Sequence, residues 1–212
     1  MIKVMISDPD LFAREGIKRM LENERDVQVA YEAQNVSETF ETLRKYRPDV
    51  CILEIGVGCQ QGLSFVRETK TRAPSTPILV IGHHHERDYA LRAIRAGAAG
   101  YLDKNCTDQQ LATAVRTTAD RRPYVSETVC ELLAENITLG RSRRPHESLS
   151  DSDFEIFCLM IEGVPTARIA SIRKISTSLA RARRAKIMEK LGLRTDADLI
   201  EYAIGNDLIE PA

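Results

Sequence analysis

The sequence predicts a doubly wound α/β domain built on a five-stranded parallel sheet, followed by a smaller all-α domain. Three observations lead there. Short β-branched runs alternate with amphipathic stretches over roughly the first 120 residues. The stretch from Thr138 to Ser148 carries Gly, Pro, Ser and charges of mixed sign without an apolar period, so it reads as a mobile linker. Beyond it the periodicity is helical, and positive charge is concentrated.

Strands are expected over Ile2 to Ser7, Val27 to Ala30, Val50 to Ile55, Pro77 to Ile81 and Gly100 to Leu102. Helices are expected over Leu11–Glu22, Val36–Tyr46, Leu63–Arg72, Asp88–Ala96 and Asp108–Ala119. Such alternation places helices on both faces of the sheet, and ligand chemistry in the loops after the strands. In the second helix Val36, Phe40, Leu43 and Tyr46 mark one apolar face, assigned to the core. A further helix from Ser126 to Ile137 follows Pro123. The resulting division is 1–121 for the first domain, 122–148 for helix and linker, and 149–212 for the second domain.

The second domain opens on the capping residue Ser150 with Asp151 and Asp153 close behind. Ile156, Leu159 and Met160 supply a buried stripe, and Gly163 ends that helix. A short helix runs from Thr166 to Arg173, and Ser176 caps a third from Thr177 to Leu191. On this third helix Ala180, Arg184, Ile187 and Leu191 share one face, while Ser178, Arg181, Ala182 and Ala185 share the opposite one. A fourth helix, Asp196 to Ile204, offers Leu199, Tyr202 and Ala203 for packing or self-association.

Composition narrows the class. A chain of 212 residues, 43% hydrophobic and 29% charged, matches a soluble globular protein with room for one large or two ordinary domains. No apolar run approaches the ~20 residues needed to span a bilayer, and the first residues read as a strand, not a signal peptide. A cytoplasmic protein with no membrane partner is expected. Cys51, Cys59, Cys106, Cys130 and Cys158 lack the spacing of a zinc site or a disulfide framework and are read as packed free thiols. From Val164 to Arg194 there are nine cations (Arg168, Arg173, Lys174, Arg181, Arg183, Arg184, Lys186, Lys190 and Arg194) against the single anion Glu189. The whole chain carries −1, so the rest is net acidic, and this segment is a candidate phosphate-facing surface.

Leu149-Ser150, Glu155, Glu162-Gly163, Ile169-Ala170, Ile175-Ser176 and the run from Ile187 to Leu193 resemble the helix-turn-helix domain of the LuxR/FixJ/NarL family of bacterial regulators. The match is gap-free from Leu149 to about Ala203. The resemblance implies that the third helix enters the major groove of double-stranded DNA. Arg181, Ala182 and Ala185 would then face bases, with Ser176, Ser178, Arg183, Arg184, Lys186 and Lys190 completing the DNA surface. The chain departs from the family at Leu179, where a small hydroxyl residue is usual. Two alanines can make only apolar contacts such as those to thymine methyls, which leaves Arg181 as the main hydrogen-bonding reader. Modest discrimination per monomer, and reliance on a homodimer, are expected.

The first domain, with Asp8 after strand one, Arg14-Glu15-Gly16, and the run from Gly97 to Lys104, resembles a response-regulator receiver domain. In that family two acids after strand one hold Mg²⁺, an aspartate ending strand three accepts phosphoryl, and a lysine after strand five pairs with it. A Ser or Thr ending strand four reports the charge to an aromatic switch. The resemblance assigns the lysine to Lys104 and the aromatic to Tyr101, but the other positions are altered. The acceptor position is Glu54, one methylene longer than aspartate and displaced from in-line geometry. The second acid is Pro9, with Asp8 before it and Asp10 after, and a proline brings no side-chain oxygen to an octahedral ion. The hydroxyl position is Gly82. Ordinary phosphorylation is therefore not expected, and no metal, cofactor or catalytic residue is assigned.

Two readings of Glu54 follow. It stands in for the phosphorylated state by pairing with Lys104, although it brings one charge where a phosphoryl brings nearly two. Alternatively it is tolerated in a silent scaffold that dimerises constitutively, the favoured reading because the relay to Tyr101 lacks its middle member. His83, His84 and His85 are adjacent imidazoles capable in principle of metal binding or proton sensing, against the plainer reading of an exposed loop. Cys51 and Cys59 are weighed as a redox pair against the reduced state usual in the cytosol. The function expected is that of a DNA-binding transcriptional regulator, not an enzyme, that works as a phosphorylation-independent homodimer. The alternative is a regulator whose altered pocket senses a small molecule or a partner protein.

Overall fold

The computed structural model describes residues 1–55, 62–82, 86–126, 129–130, 144–206 and 208–209, with backbone alone for 86–88. The chain divides into two compact units, one holding the elements between residues 2 and 119, the other those between residues 145 and 205. Among the described residues no helix is long and apolar enough to cross a membrane.

The first unit alternates β1 (Ile2–Ser7), α1 (Leu11–Leu21), β2 (Val27–Ala33), α2 (Val36–Tyr46), β3 (Val50–Glu54), α3 (Leu63–Arg72), β4 (Ile78–Gly82), α4 (Glu86–Arg95), β5 (Gly100–Asp103) and α5 (Asp108–Ala119). The strands form one parallel sheet in the order β2-β1-β3-β4-β5. Strand period two sorts the side chains. Val4, Ile6, Val50, Ile52, Leu79, Ile81 and Leu102 join Ile17 and Leu21 of α1 and Leu111 and Val115 of α5 in one core. Their neighbours along the strands face the other way, and there Ser7 Oγ meets Thr39 Oγ1 of α2 at 2.8 Å. With both faces covered, the central strands are apolar up to Glu54 at the end of β3, as a buried parallel sheet requires.

The face of α2 differs from its apolar pattern. Thr39 and Leu43 are buried, whereas Val36 and Tyr46 are exposed. Tyr46 instead stacks on Tyr31 of β2, with ring centroids 4.5 Å apart. Phe40 lies edge-on to Phe65 at 5.5 Å, beneath the Arg72 guanidinium. Thr39 wins the inward position because its hydroxyl is satisfied twice, by Ser7 and by the Asn35 carbonyl at 2.8 Å.

The second unit holds a 3-10 turn (Pro145–Ser148), α6 (Asp151–Ile161), α7 (Thr166–Arg173), α8 (Thr177–Leu191) and α9 (Asp196–Gly205). Ser150, Ser176 and Thr195 cap α6, α8 and α9, each accepting from a backbone N–H in the first turn, as the sequence signals demand. Gly163 and Gly192 stand at φ +73° and +72° after α6 and α8, a left-handed turn that glycine adopts without a Cβ penalty. α6 is buried all round from Phe154 to Ile161, so the expected three-residue stripe understates it.

Most of the helix expected from Ser126 to Ile137, and most of the linker, lie outside the described residues. The end of that linker does not match its composition. His146 is fully buried, its Nδ1 2.9 Å from the Tyr202 hydroxyl and its ring stacked on Phe157 at 6.1 Å. Arg144 Nη1 donates to the Asn206 carbonyl at 3.0 Å. These contacts join the entry of the second unit to its last helix, and a polar-rich string gives no sequence sign of them. Tyr202→Phe, which removes one hydrogen-bonding hydroxyl, should cost about 1 kcal/mol. His146→Ala also opens a cavity and should cost roughly 2–4 kcal/mol. Urea unfolding followed by circular dichroism measures both.

Candidate functional site

Strand order brings together residues far apart in sequence. The connections leaving β1 and β3 run to opposite sides of the sheet, which makes their carboxyl ends a switch point, where an α/β sheet opens a crevice. Asp8 follows β1 and is 1% exposed, while Glu54 closes β3 at 4%. Lys104 follows β5, where its backbone N–H donates to the Gly82 carbonyl at 2.9 Å. Its Nζ reaches back across β4 to stand 3.3 Å from Asp8 Oδ2 and 3.3 Å from Glu54 Oε1. Burial opposes the charge on this ammonium, but the attraction of Glu54 and of Asp8 outweighs it and raises the Lys104 pKa.

Asp8 is held on two further sides. Its Oδ1 accepts from the Asp10 N–H at 2.8 Å, and its carbonyl accepts from Arg14 Nη1 at 2.7 Å. Arg14 is fixed in turn by Glu32 at 3.1 Å, and Lys18 approaches the same carboxylate at 2.6 Å. Burial works against the Glu32 carboxylate, yet Lys18 and Arg14 together pull its pKa below the ordinary value. Asp10 belongs elsewhere. Its side chain accepts from the Phe12 N–H at 2.8 Å and caps α1 on the surface.

Gly82 and Tyr101 share one space. A Cβ on Gly82 would stand 2.7 Å from the Ile55 carbonyl oxygen and 3.1 Å from the Tyr101 hydroxyl. Tyr101 is 1% exposed, so its ring lies inward and its hydroxyl fills the room that a larger residue at Gly82 would take. His83, His84, His85 and Cys59 lie outside the described residues. Cys51 is fully buried and its thiol is pushed up to about 12 by that burial, which leaves almost no thiolate for redox exchange.

On α8 the cations fall into two groups. Arg183 Nη1 donates to Ser152 Oγ at 2.6 Å and approaches Asp153 at 3.3 Å, Arg184 pairs with Asp196, and Lys190 Nζ donates to the Ser148 carbonyl at 2.7 Å. Arg173 of α7 pairs with the buried Glu155. Arg181 and Lys186 are exposed and engage no acid among the described residues, as do Arg168 and Lys174 around α7. Ser178, Ala182 and Ala185 are exposed, and Ala180, Ile187, Met188 and Leu191 pack inward. Ser176 is exposed but its hydroxyl already caps the helix by accepting from Leu179 N–H at 3.2 Å.

Several contributors escaped the sequence. The motif around Arg14 gives no sign that its guanidinium holds the Asp8 carbonyl. On α9, Leu199 and Ala203 are buried, and the exposed apolar pair is Ile200 and Ile204, 36% and 38% exposed. Their i, i+4 spacing was the available signal.

Residues 4–116 match the family described as the response regulator receiver domain. The chain is 28% identical to the oxygen regulatory protein NreC of Staphylococcus aureus over 216 positions, covering 99% of this chain and 100% of that protein. Its fold is similar to RcsB from Salmonella enterica serovar Typhimurium bound to promoter rprA with the phosphomimetic BeF3-. There the TM-score is 0.69 at 22% identity, over 95% of this chain and 97% of that one. A structure of two RcsB dimers bound to two parallel DNAs matches with a TM-score of 0.57 at 22% identity, over 95% and 96%. The receiver match spans more than half of the sequence, so the chain belongs to the response regulator receiver family, in the two-domain architecture of NarL/FixJ-type regulators.

Proposed function

We propose that this chain is a DNA-binding transcriptional regulator whose receiver is set by a built-in ion triad and not by phosphorylation, and that it binds double-stranded DNA as a homodimer. The observation that carries the reading is Lys104 bridging Asp8 and Glu54. At the acceptor position the bridge ends on a glutamate, one methylene longer than the aspartate that in-line transfer uses. Glu54 supplies about one negative charge, permanently, where phosphorylation would supply nearly two on demand.

The donor set argues the same way. An octahedral Mg²⁺ needs closely placed oxygens. Pro9 contributes none, Asp10 is turned out to cap α1, and the space between Asp8 and Glu54 is bridged by an ammonium. These residues do not fit the ion. The inward Tyr101 with its hydroxyl beside Gly82 supports a fixed state as well, since no hydroxyl-bearing side chain at that position remains to couple the ring to the pocket.

For DNA, support comes from the exposed Arg181 and Lys186 on a capped helix of 15 residues, long enough to lie in a major groove. RcsB, similar in fold, is bound to DNA in its structures. For the dimer, support comes from Ile200 and Ile204, an apolar pair one turn apart on α9.

Duplex affinity of the full chain should change by less than about twofold when acetyl phosphate and Mg²⁺ are added, since a state already set has no further charge to gain. A larger gain in a fluorescence-anisotropy titration contradicts the reading. Lys104→Met should cost about 3–5 kcal/mol in urea unfolding, because it removes the ammonium that stands between two buried carboxylates. The raised pKa fixes the sign with pH. Stabilisation by Lys104 is complete below the ordinary lysine pKa and fades only as pH rises through the higher folded value. Arg181→Ala should weaken binding to a selected site by ~1–3 kcal/mol and relax its specificity. Lys186→Ala should weaken all duplexes alike and reduce the salt slope by about 1.

A further inference from the structure

The base-facing surface of α8 is poorer in hydrogen-bonding groups than its charge suggests. Arg183 is held by Ser152 and Asp153, Arg184 by Asp196, and Lys190 by the Ser148 carbonyl. Three of the five basic residues between Arg181 and Lys190 are thereby drawn toward their own domain. Of the remaining two, Arg181 carries the planar fork that reads a base edge, and Lys186 is a point charge suited to phosphate.

Between them lies an apolar seam. Leu179, in the first turn of α8, is 44% exposed, among the few large hydrophobic side chains left open in the described residues. Ala182 follows three residues on and Ala185 three further, both exposed, and a spacing of three places them as successive neighbours. With 3.6 residues per turn this seam crosses the exposed face diagonally, from the flank of Lys186 toward that of Arg181. Leu179 stands in the N-terminal turn, the part of a recognition helix that meets base edges. The 44% of its surface that stays open is covered by nothing among the described residues. The one apolar group that the major groove offers is the C5-methyl of thymine.

Resting on the DNA-binding reading above, we propose that Leu179 is a specificity-determining residue. With Ala182 and Ala185 it recognises the 5-methyl groups of thymines in the half-site, next to a guanine read by Arg181. The duplex is discriminated mainly by methyl groups and one bidentate hydrogen-bonding contact. The seam also explains why α8 carries few free polar readers and still leaves a large side chain in water.

The test uses the full chain. Sites are selected from a random duplex pool, and the enriched duplex is then made twice, with thymine and with deoxyuridine, which lacks only the methyl. Each buried methyl should be worth about three- to fivefold in affinity, so the uracil duplex should bind at least that much more weakly. Leu179→Ala, a change at an exposed position, should narrow the difference between the two duplexes by about three- to fivefold, the share of the methyl that Leu179 covers. Equal binding of both duplexes by the unaltered chain overturns the proposal. So does a Leu179→Ala variant that loses as much affinity for the uracil duplex as for the thymine one, because Leu179 would then act without the methyl. If no duplex is enriched or bound even at low salt, the DNA-binding reading fails, and this inference with it.

Discussion

One buried ammonium between two buried carboxylates is the constraint around which the first unit is arranged. Lys104 follows β5, with two strands between it and β1, and cannot reach Asp8 unless β3 and β4 are in register between them. Its backbone is fixed on Gly82, its side chain on Asp8 and Glu54, and Asp8 is fixed again through Arg14 to Glu32 on the far edge strand. A chain of charged contacts therefore runs over the carboxyl end of the whole sheet, from β2 to β5. Such groups are costly to bury singly, and what makes them tolerable is that each is paired. The site is correspondingly intolerant of losing any one member.

In the second unit the same accounting is applied to positive charge. Arg173 pairs with Glu155 inside the domain, and Arg183, Arg184 and Lys190 are tied to the first turn of α6, the first residue of α9 and the 3-10 turn. These four hold helices together. What remains on the surface is smaller than the raw charge count. Charge in a sequence does not reveal this division, because acceptors such as Asp196 and the Ser148 carbonyl are brought near only by folding.

The sheet and its helices were legible because their periodicities are strong and their caps are conventional. Each strand and helix of the first unit appears within two or three residues of its expected limits, and Ser150 and Ser176 cap the helices that their positions suggest. The α2 face was misread because apolar character alone puts Val36 and Tyr46 inside, whereas hydrogen bonding lets Thr39 displace them. The end of the linker was misread because polar composition conceals a histidine that an aromatic pair can bury. At the candidate site the residue types could be named from sequence, but not which of them meet. Asp10 illustrates this, since a carboxylate two residues from Asp8 serves the helix and not the pocket.

Gly82 and Tyr101 show why a missing side chain must be judged by what occupies its place. From sequence, glycine at the end of β4 reads as the loss of a hydroxyl. In the fold, the space is taken by the tyrosine's own hydroxyl, and any Cβ there would press on the Ile55 carbonyl at 2.7 Å. That carbonyl is not free to retreat, because the Ile55 N–H in the same short segment donates to the Ile81 carbonyl at 3.0 Å. Glycine and the inward ring are thus mutually required: a larger residue at Gly82 has no room while Tyr101 stays in, and a buried tyrosine needs the room that glycine leaves. Gly82 is a steric complement to Tyr101, and together with the Lys104 bridge it leaves the sheet end packed and paired.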